Sequence, residues 1–283
     1  MKILMKLPPT LVMILAVFLA SCSGSKNSGK LFIIGGGTAT PEMISKMITE
    51  SHIDKGGYGV ILPMSSEEPD LAIREWTKLF SDGGCNNVVG LNIAQGENPS
   101  AGRIDSIRNA RLVFMSGGDQ SRFMNIIRGT EIKKAIHEVF DKGGVIGGYS
   151  AGAALMSETM ITGNELKHPD NAVSFDNMEA GNVETAEGVG MLKTVIIDQH
   201  FIKRKRLNRL ISASIEHPSL LCVGIDESTA ILVDRNRATV YGLSQVLVLR
   251  NPSSETKTKD GLLTARKISL DIYLPGEDFR IGE

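Results

Sequence analysis

The chain has 283 residues, of which 42% are hydrophobic and 22% charged, an ordinary globular composition with length enough for one large domain and a real core. Its 31 basic and 32 acidic side chains nearly cancel and aromatics make up only 5%, so composition gives no basis for nucleic-acid binding or for charge-driven adhesion to a membrane surface. Neither a CxxC nor an HExxH pattern occurs and the five histidines are scattered, so no metal site or other cofactor is expected.

The N-terminus reads as an export signal rather than as part of the fold. Lys2 and Lys6 precede an apolar stretch from Leu11 to Ala20, too short to span a bilayer comfortably. It ends in Leu19-Ala20-Ser21-Cys22, which resembles a bacterial lipobox, where the cysteine is lipidated and becomes the first residue of the mature protein. This divides the chain into a signal over 1–21, a flexible Ser/Gly/Lys/Asn tether over 22–29 and a single domain over 30–283. Acyl chains on Cys22 would anchor the protein in the cell envelope, on a periplasmic, outer-membrane or extracellular face. Cys85 and Cys222 are expected to be buried apolar side chains rather than a pair.

Leu31-Phe32-Ile33-Ile34 is a continuous apolar run closed by Gly35-Gly36-Gly37, the pattern of a buried parallel strand. Thr40-Pro41-Glu42 opens a helix, with threonine as cap and proline in the first turn. Val60-Ile61-Leu62 predicts a second strand, 67–80 a helix, and Val88 to Leu91 a third strand. Leu112 to Met115 is a fourth, running into Ser116-Gly117-Gly118-Asp119-Gln120; an amphipathic helix over 131–140 leads to a fifth at Val145-Ile146. Repeated strand–helix units imply a parallel sheet with helices on both faces, and sites in such sheets form beyond the carboxyl ends of the strands. The glycine-rich ends at 35–37, 117–118 and 148–152 meet on that rim. The later half is richer in strands. Val195-Ile196-Ile197 enters Asp198-Gln199-His200, a basic helix over 203–215 follows, and short strands come at 221–223, 230–233, 238–241 and 246–249. Asp234-Arg235-Asn236 is hairpin chemistry, and 251–260 reads as an exposed loop.

The chemistry centres on Gly148-Tyr149-Ser150-Ala151-Gly152, which lies between an apolar run and a helix-like segment. A sharp strand-to-helix turn there would push the Ser150 oxygen out as a nucleophile. Such a serine needs a base, an orienting acid and oxyanion donors. His200 follows an apolar strand directly and falls on the glycine-rich rim, so it is the base of choice. Glu165, read as part of a loop at Gly163-Asn164-Glu165, and Asp198, Asp226 and Glu227 are all open as the acid. Backbone N–H groups of Ala151 and of Gly117 or Gly118 suit the oxyanion. The run Lys203-Arg204-Lys205-Arg206-Leu207-Asn208-Arg209 sets positive charge in the first turns of a helix, against its macrodipole, which suggests recruitment of a carboxylate.

Four blocks together resemble the cyanophycinase and dipeptidase E family of serine exopeptidases: Phe114-Met115-Ser116-Gly117-Gly118-Asp119-Gln120, Gly148 to Ala154, Asp198-Gln199-His200-Phe201, and Gly224-Ile225-Asp226-Glu227-Ser228-Thr229-Ala230. The resemblance runs from Leu31 to about Leu249. It implies an α/β fold, a class I glutamine-amidotransferase-like three-layer sandwich with a mostly parallel central sheet and a strand-rich C-terminal part. It implies a triad in the order Ser150, Glu165, His200, beside the oxyanion donors Gly118 and Ala151 that the residues themselves suggest. It places Gln120, Asp198, Gln199, Arg204, Arg206 and Arg209 on the substrate. The implied reaction is hydrolysis of β-aspartyl peptide bonds, with release of β-Asp-Arg dipeptides from a cyanophycin-like polymer. An α-aspartyl dipeptidase, another small-peptide exopeptidase and a non-catalytic peptide-binding lipoprotein are the rival readings. Peptide substrate and membrane are the partners implied, with room for a homodimer and none for nucleic acid. Two departures bear on the substrate: Thr38-Ala39-Thr40 stands where an acidic residue is usual, and Tyr149 where a small residue or threonine is common.

Overall fold

The structure is a computed structural model and describes residues 28–170, 175–252 and 257–282. The signal over 1–21 and the lipobox cysteine Cys22 lie outside the described residues. In chain order the first elements are β1 (Lys30–Ile34), α1 (Pro41–Ser51), β2 (Gly59–Leu62), α2 (Pro69–Asp82), β3 (Val88–Gly90), α3 (Ala101–Arg108) and β4 (Leu112–Met115). Next come α4 (Gln120–Ile127), α5 (Ile132–Asp141), β5 (Val145–Tyr149), α6 (Ala151–Ala154), β6 (Thr159–Glu165), β7 (Val183–Glu187), β8 (Val195–Gln199) and α7 (Leu207–Glu216). The rest is strand: β9 (Leu221–Ile225), β10 (Thr229–Asp234), β11 (Arg237–Gly242), β12 (Val246–Arg250), β13 (Lys257–Lys259), β14 (Leu262–Thr264), β15 (Ser269–Tyr273) and β16 (Asp278–Arg280).

The apolar runs are unbroken because helices cover the main sheet on both faces. Leu31 and Ile33 of β1 join one core with Ile104, Phe123, Ile136 and Val139 of α3, α4 and α5. Phe32 and Ile34, pointing the other way, join a second with Met43, Met47, Trp76 and Phe80 of α1 and α2. Sequence signals set the helix starts: the Thr40 hydroxyl accepts from Met43 N–H at 3.3 Å, and Asp119 accepts from Ser121 N–H at 2.7 Å.

The main sheet has eight strands in the order β16-β11-β10-β1-β5-β4-β2-β3. From β1 to β3 the neighbours are parallel, whereas β10, β11 and β16 extend the sheet antiparallel. A second sheet, β15-β12-β9-β8, packs under α7, whose Leu210 and Ala213 meet Cys222 and Leu249. Cys85 and Cys222 are buried and unpaired, and burial pushes the Cys222 thiol up. Among the described residues no helix is long and apolar enough to cross a membrane.

Three local expectations change. Glu165 closes a strand, β6, which pairs antiparallel with β7 through an irregular register, instead of lying on a loop. Lys257 to Thr264, expected partly as loop, forms the β13–β14 hairpin. The helix expected over 203–215 starts at Leu207. Asp226 Oδ1 accepts from Ile202 and Lys203 N–H at 3.0 and 2.9 Å, and Lys205 turns left-handed at φ 53°, so residues 201–206 form turns ahead of α7. The basic run therefore loads the first turn of α7 with Arg209 alone, and Arg206 stands at its N-cap.

Candidate active site

β5 ends at Tyr149, and the chain reverses at Ser150 with φ 53° and ψ −107° before entering α6. Side chains rarely adopt that conformation, and its cost is met by packing that only glycine permits. A Cβ on Gly148 would stand 2.2 Å from Gly152 O, and one on Gly152 would stand 2.1 Å from Met115 O. Strand, turn and helix are thus in backbone contact, and Ser150 Oγ projects from the carboxyl rim of the sheet. Its partner is His200 Nε2 at 2.7 Å.

His200 follows β8 in a left-handed conformation, φ 50°. Its N–H donates to Gly35 O at 2.7 Å, and its ring lies where a Cβ on Gly36 would be, 2.2 Å from Cε1. Its Nδ1 lies 2.7 Å from Glu227 Oε1, in the turn between β9 and β10. Ser228 N–H closes the arrangement on Gly36 O at 2.7 Å. The ends of β1, β5, β8 and β9 together build a Ser150–His200–Glu227 line. Burial, reinforced by the Arg204 and Arg206 charges, holds His200 below the ordinary histidine range, against the Glu227 bond that raises it. At neutral pH the ring is uncharged. With Nδ1–H donated to Glu227, Nε2 accepts the serine proton.

Glu165 is not on this line. It is buried, accepting from Phe175 N–H at 2.7 Å and from Asn182 Nδ2 at 2.8 Å. The structure thus brings Glu227, and not the Glu165 implied by the resemblance, to the His200 ring; Glu227 is one of the four carboxylates left open by the residues themselves. Asp226 is spent on the turns after His200 and on the Ser244 hydroxyl at 2.7 Å. The other histidines lie elsewhere: His52 and His217 stand at helix C-caps, His137 meets Val189 O at 2.9 Å, and His168 meets Glu179 at 3.1 Å.

A cavity of about 280 Å³ opens beside Ser150, lined among others by Gly118, Gln120, Gln199, Arg204, Arg206 and Arg209. Gly118 is at φ 132°, where a Cβ would stand 2.0 Å from Ser65 O, so its backbone reaches the cavity only as glycine. Ala151 N–H opens α6 with no preceding turn to bond to, which leaves it for a ligand oxygen. Asp198 sits behind the wall rather than on it, 1% exposed, in a bidentate pair with Arg209 whose Nε–Oδ2 distance is 2.9 Å. Its distance to Arg206 Nη1 is 3.7 Å. Arg206 donates to Gln199 O at 2.7 Å and to the Gln199 side chain, and Gln120 is fixed on Ile161 O at 2.9 Å. Asp198, a single buried carboxylate, is shared by Arg209 and Arg206, and the Arg204 charge adds to theirs. Burial, then the Arg209 charge, pulls Arg206 down to about 10. An anionic ligand would relieve that excess. Among the described residues no cluster of three metal-ligating side chains occurs.

With this geometry, comparison with known proteins is direct. The model of peptidase family S51 matches residues 31–241, and the chain belongs to that family of serine-type peptidases. Its relatives include the cyanophycinase of Nostoc sp., 30% identical over 264 residues, 89% of this chain and 85% of that protein. The cyanophycinase of Synechococcus elongatus is 35% identical over 222 residues, 74% of this chain and 64% of that one. Among solved structures, a peptidase from an acI-B1 Actinobacterium has a TM-score of 0.64 at 20% identity, covering 90% of this chain and 97% of its own. A peptidase E-type protein of Listeria monocytogenes has a TM-score of 0.55 at 16% identity, over 77% and 100%. The three-layer, class I glutamine-amidotransferase-like fold is thereby shared.

Proposed function

We propose that this chain is a lipid-anchored serine exopeptidase of the cell envelope that cleaves aspartyl peptides, with a cyanophycin-like polymer as its substrate and β-Asp-Arg dipeptides as product. The observation that carries the reading is the Ser150–His200–Glu227 line beside a cavity with three arginines. Ser150 Oγ adds to the scissile carbonyl carbon while His200 Nε2 takes its proton. Glu227 stabilises the imidazolium that forms. The oxyanion is received by Gly118 and Ala151 N–H, each such donor worth about 3 kcal/mol in the transition state. The C–N bond then breaks as His200 returns the proton to the leaving amine. Water, deprotonated by His200, attacks the acyl-enzyme and restores the serine. Arg204, Arg206 and Arg209 hold substrate carboxylate, with Gln120 and Gln199 beside them and Asp198 setting Arg209. Release of an intact β-Asp-Arg unit leaves its isopeptide link uncut. The bond attacked is then the aspartate backbone amide, which corrects the expectation that the β-aspartyl bond itself is split.

Product analysis after incubation with cyanophycin tests this. β-Asp-Arg is expected from the wild type and none from Ser150→Ala. Equal release by the variant would end the assignment. The small cavity favours short α-aspartyl dipeptides as a second reading, and a parallel assay with Asp-X peptides separates the two. The anchor rests on Leu19-Ala20-Ser21-Cys22; palmitate label is expected on the wild type in a bacterial host and absent from Cys22→Ala.

A further inference from the structure

The rim holds a second cavity, of about 420 Å³, that the proposed mechanism leaves unused. It begins at Gly37, where a Cβ would stand 2.7 Å from Glu227 Cβ, and so lies on the His200–Glu227 side of the nucleophile. Tyr149 lines it, while the next residue, Ser150, lines the arginine cavity. Its apolar walls are Trp76, Leu79, Ala39 and Tyr149. The two rings are fixed: Trp76 meets Tyr149 edge-on at 5.1 Å, and the Tyr149 hydroxyl donates to Gly37 O at 2.6 Å.

Charge at its mouth differs in sign from that of the first cavity. Glu75, Lys78 and Asp82 come from α2, and Lys78 pairs with Asp82 at 2.6 Å. Among the described residues Glu75 has no ion pair on the mouth, and Glu227 lies behind Gly37. The Tyr149 phenol registers both fields. Burial pushes it up most, Glu227 and Glu75 push the same way, and Arg204 opposes them. Tyr149 therefore separates a cationic cavity from one with aromatic walls and excess negative charge.

We propose that this second cavity is a subsite for a basic side chain, a guanidinium or an ammonium, on the side of Ser150 where His200 hands a proton to the leaving amine. Aromatic walls and a carboxylate rim are the two elements that seat such a cation. The leaving-side assignment rests on the proposed function; the binding itself does not.

Trp76 is the only tryptophan of the chain, so its fluorescence reads this cavity directly. The full chain carrying Ser150→Ala is titrated with N-acetylargininamide and with N-acetylnorleucinamide, a similar stem without the charge. A saturable change is expected with the arginine probe. Binding about fivefold weaker is expected for the norleucine probe, and for the arginine probe on Glu75→Gln, a change at an exposed residue. No saturable change, equal affinity for both probes, or undiminished affinity in Glu75→Gln overturns the subsite. Hydrolysis of aspartyl peptides by the wild type is scored separately. A chain that cleaves but fails the titration loses only the subsite, and one that binds without cleaving loses only the proposed reaction.

Discussion

At Ser150 the backbone is strained and the side chain is spoken for by His200, so the residue-scale question is what holds the histidine. Glu227 touches Nδ1, whereas both Glu165 oxygens are occupied by donors remote from the ring. Glu227→Gln is expected to lower kcat by about two to four orders of magnitude, through loss of the imidazolium partner and of the correct tautomer. Glu165→Gln should act differently. Phe175 and Asn182 both donate to it, and a glutamine can accept from only one without a clash of donors. Phe175 packs its ring 5.7 Å from the Arg209 guanidinium, so the expected effect is a raised KM with kcat within about tenfold. Steady-state kinetics of the two variants decide the acid, and a deeper kcat loss in Glu165→Gln would reverse the choice. The pH profile gives a second test. The base works only when neutral, so kcat/KM falls as pH drops through the His200 pKa, which is lowered from 6.5. The acid limb should therefore have its midpoint below 6.5. Arg204 contributes to the lowering, so Arg204→Ala should move the midpoint upward, whatever it costs in substrate binding.

The elements place these residues through backbone contact, which makes the glycines testable. Gly152 packs α6 onto the end of β4, and α6 carries the Ala151 N–H. Gly152→Ala forces its new methyl against Met115 O, and a destabilisation of about 1–3 kcal/mol is expected, with kcat reduced because the oxyanion donor shifts. Thermal unfolding with kinetics on the same sample checks both, and wild-type values for each would contradict the packing argument. This scale also separates what the sequence discloses from what it hides. Strands β1, β2, β4 and β5 are legible because burial on both faces demands apolar runs, and Ser150 and His200 because they follow such runs at once. β6 and β7 are not. Gly163 at φ 105° and the irregular register break the alternation in β6, and β7 is Val183-Glu184-Thr185-Ala186-Glu187, half-exposed and acidic. The start of α7 is hidden for another reason: the groups that stop an earlier helix belong to Asp226, distant in sequence. Glu227 stands just past the apolar strand β9, the same signal that singles out His200, but nothing local separates it from its neighbour Asp226.

The whole molecule has a polarity that bears on the proposed anchor. β1 enters at Lys30, where Gly29 and Lys30 N–H bond Phe140 O and Gly144 O at 2.8 and 3.1 Å, at the amino edge of the parallel strands. Its other end is Gly35 and Gly36, against His200. The N-terminal connection and the active site are therefore separated by the length of the strand, about 16 Å for five residues. A lipid at Cys22 would attach through the tether at the amino edge, with the carboxyl rim on the far side, where a polymer can reach it. The anchor should then govern location and not catalysis. A chain beginning at Ser28 retains Gly29 and its bond to Phe140, so it is expected to fold and to cleave in solution. The lipidated chain on vesicles should match its kcat/KM for a soluble aspartyl peptide within about twofold, since no group of the site lies at the anchored edge. A tenfold loss on vesicles, with the truncated chain fully active, would mean that the bilayer covers the rim and that the inferred orientation is reversed.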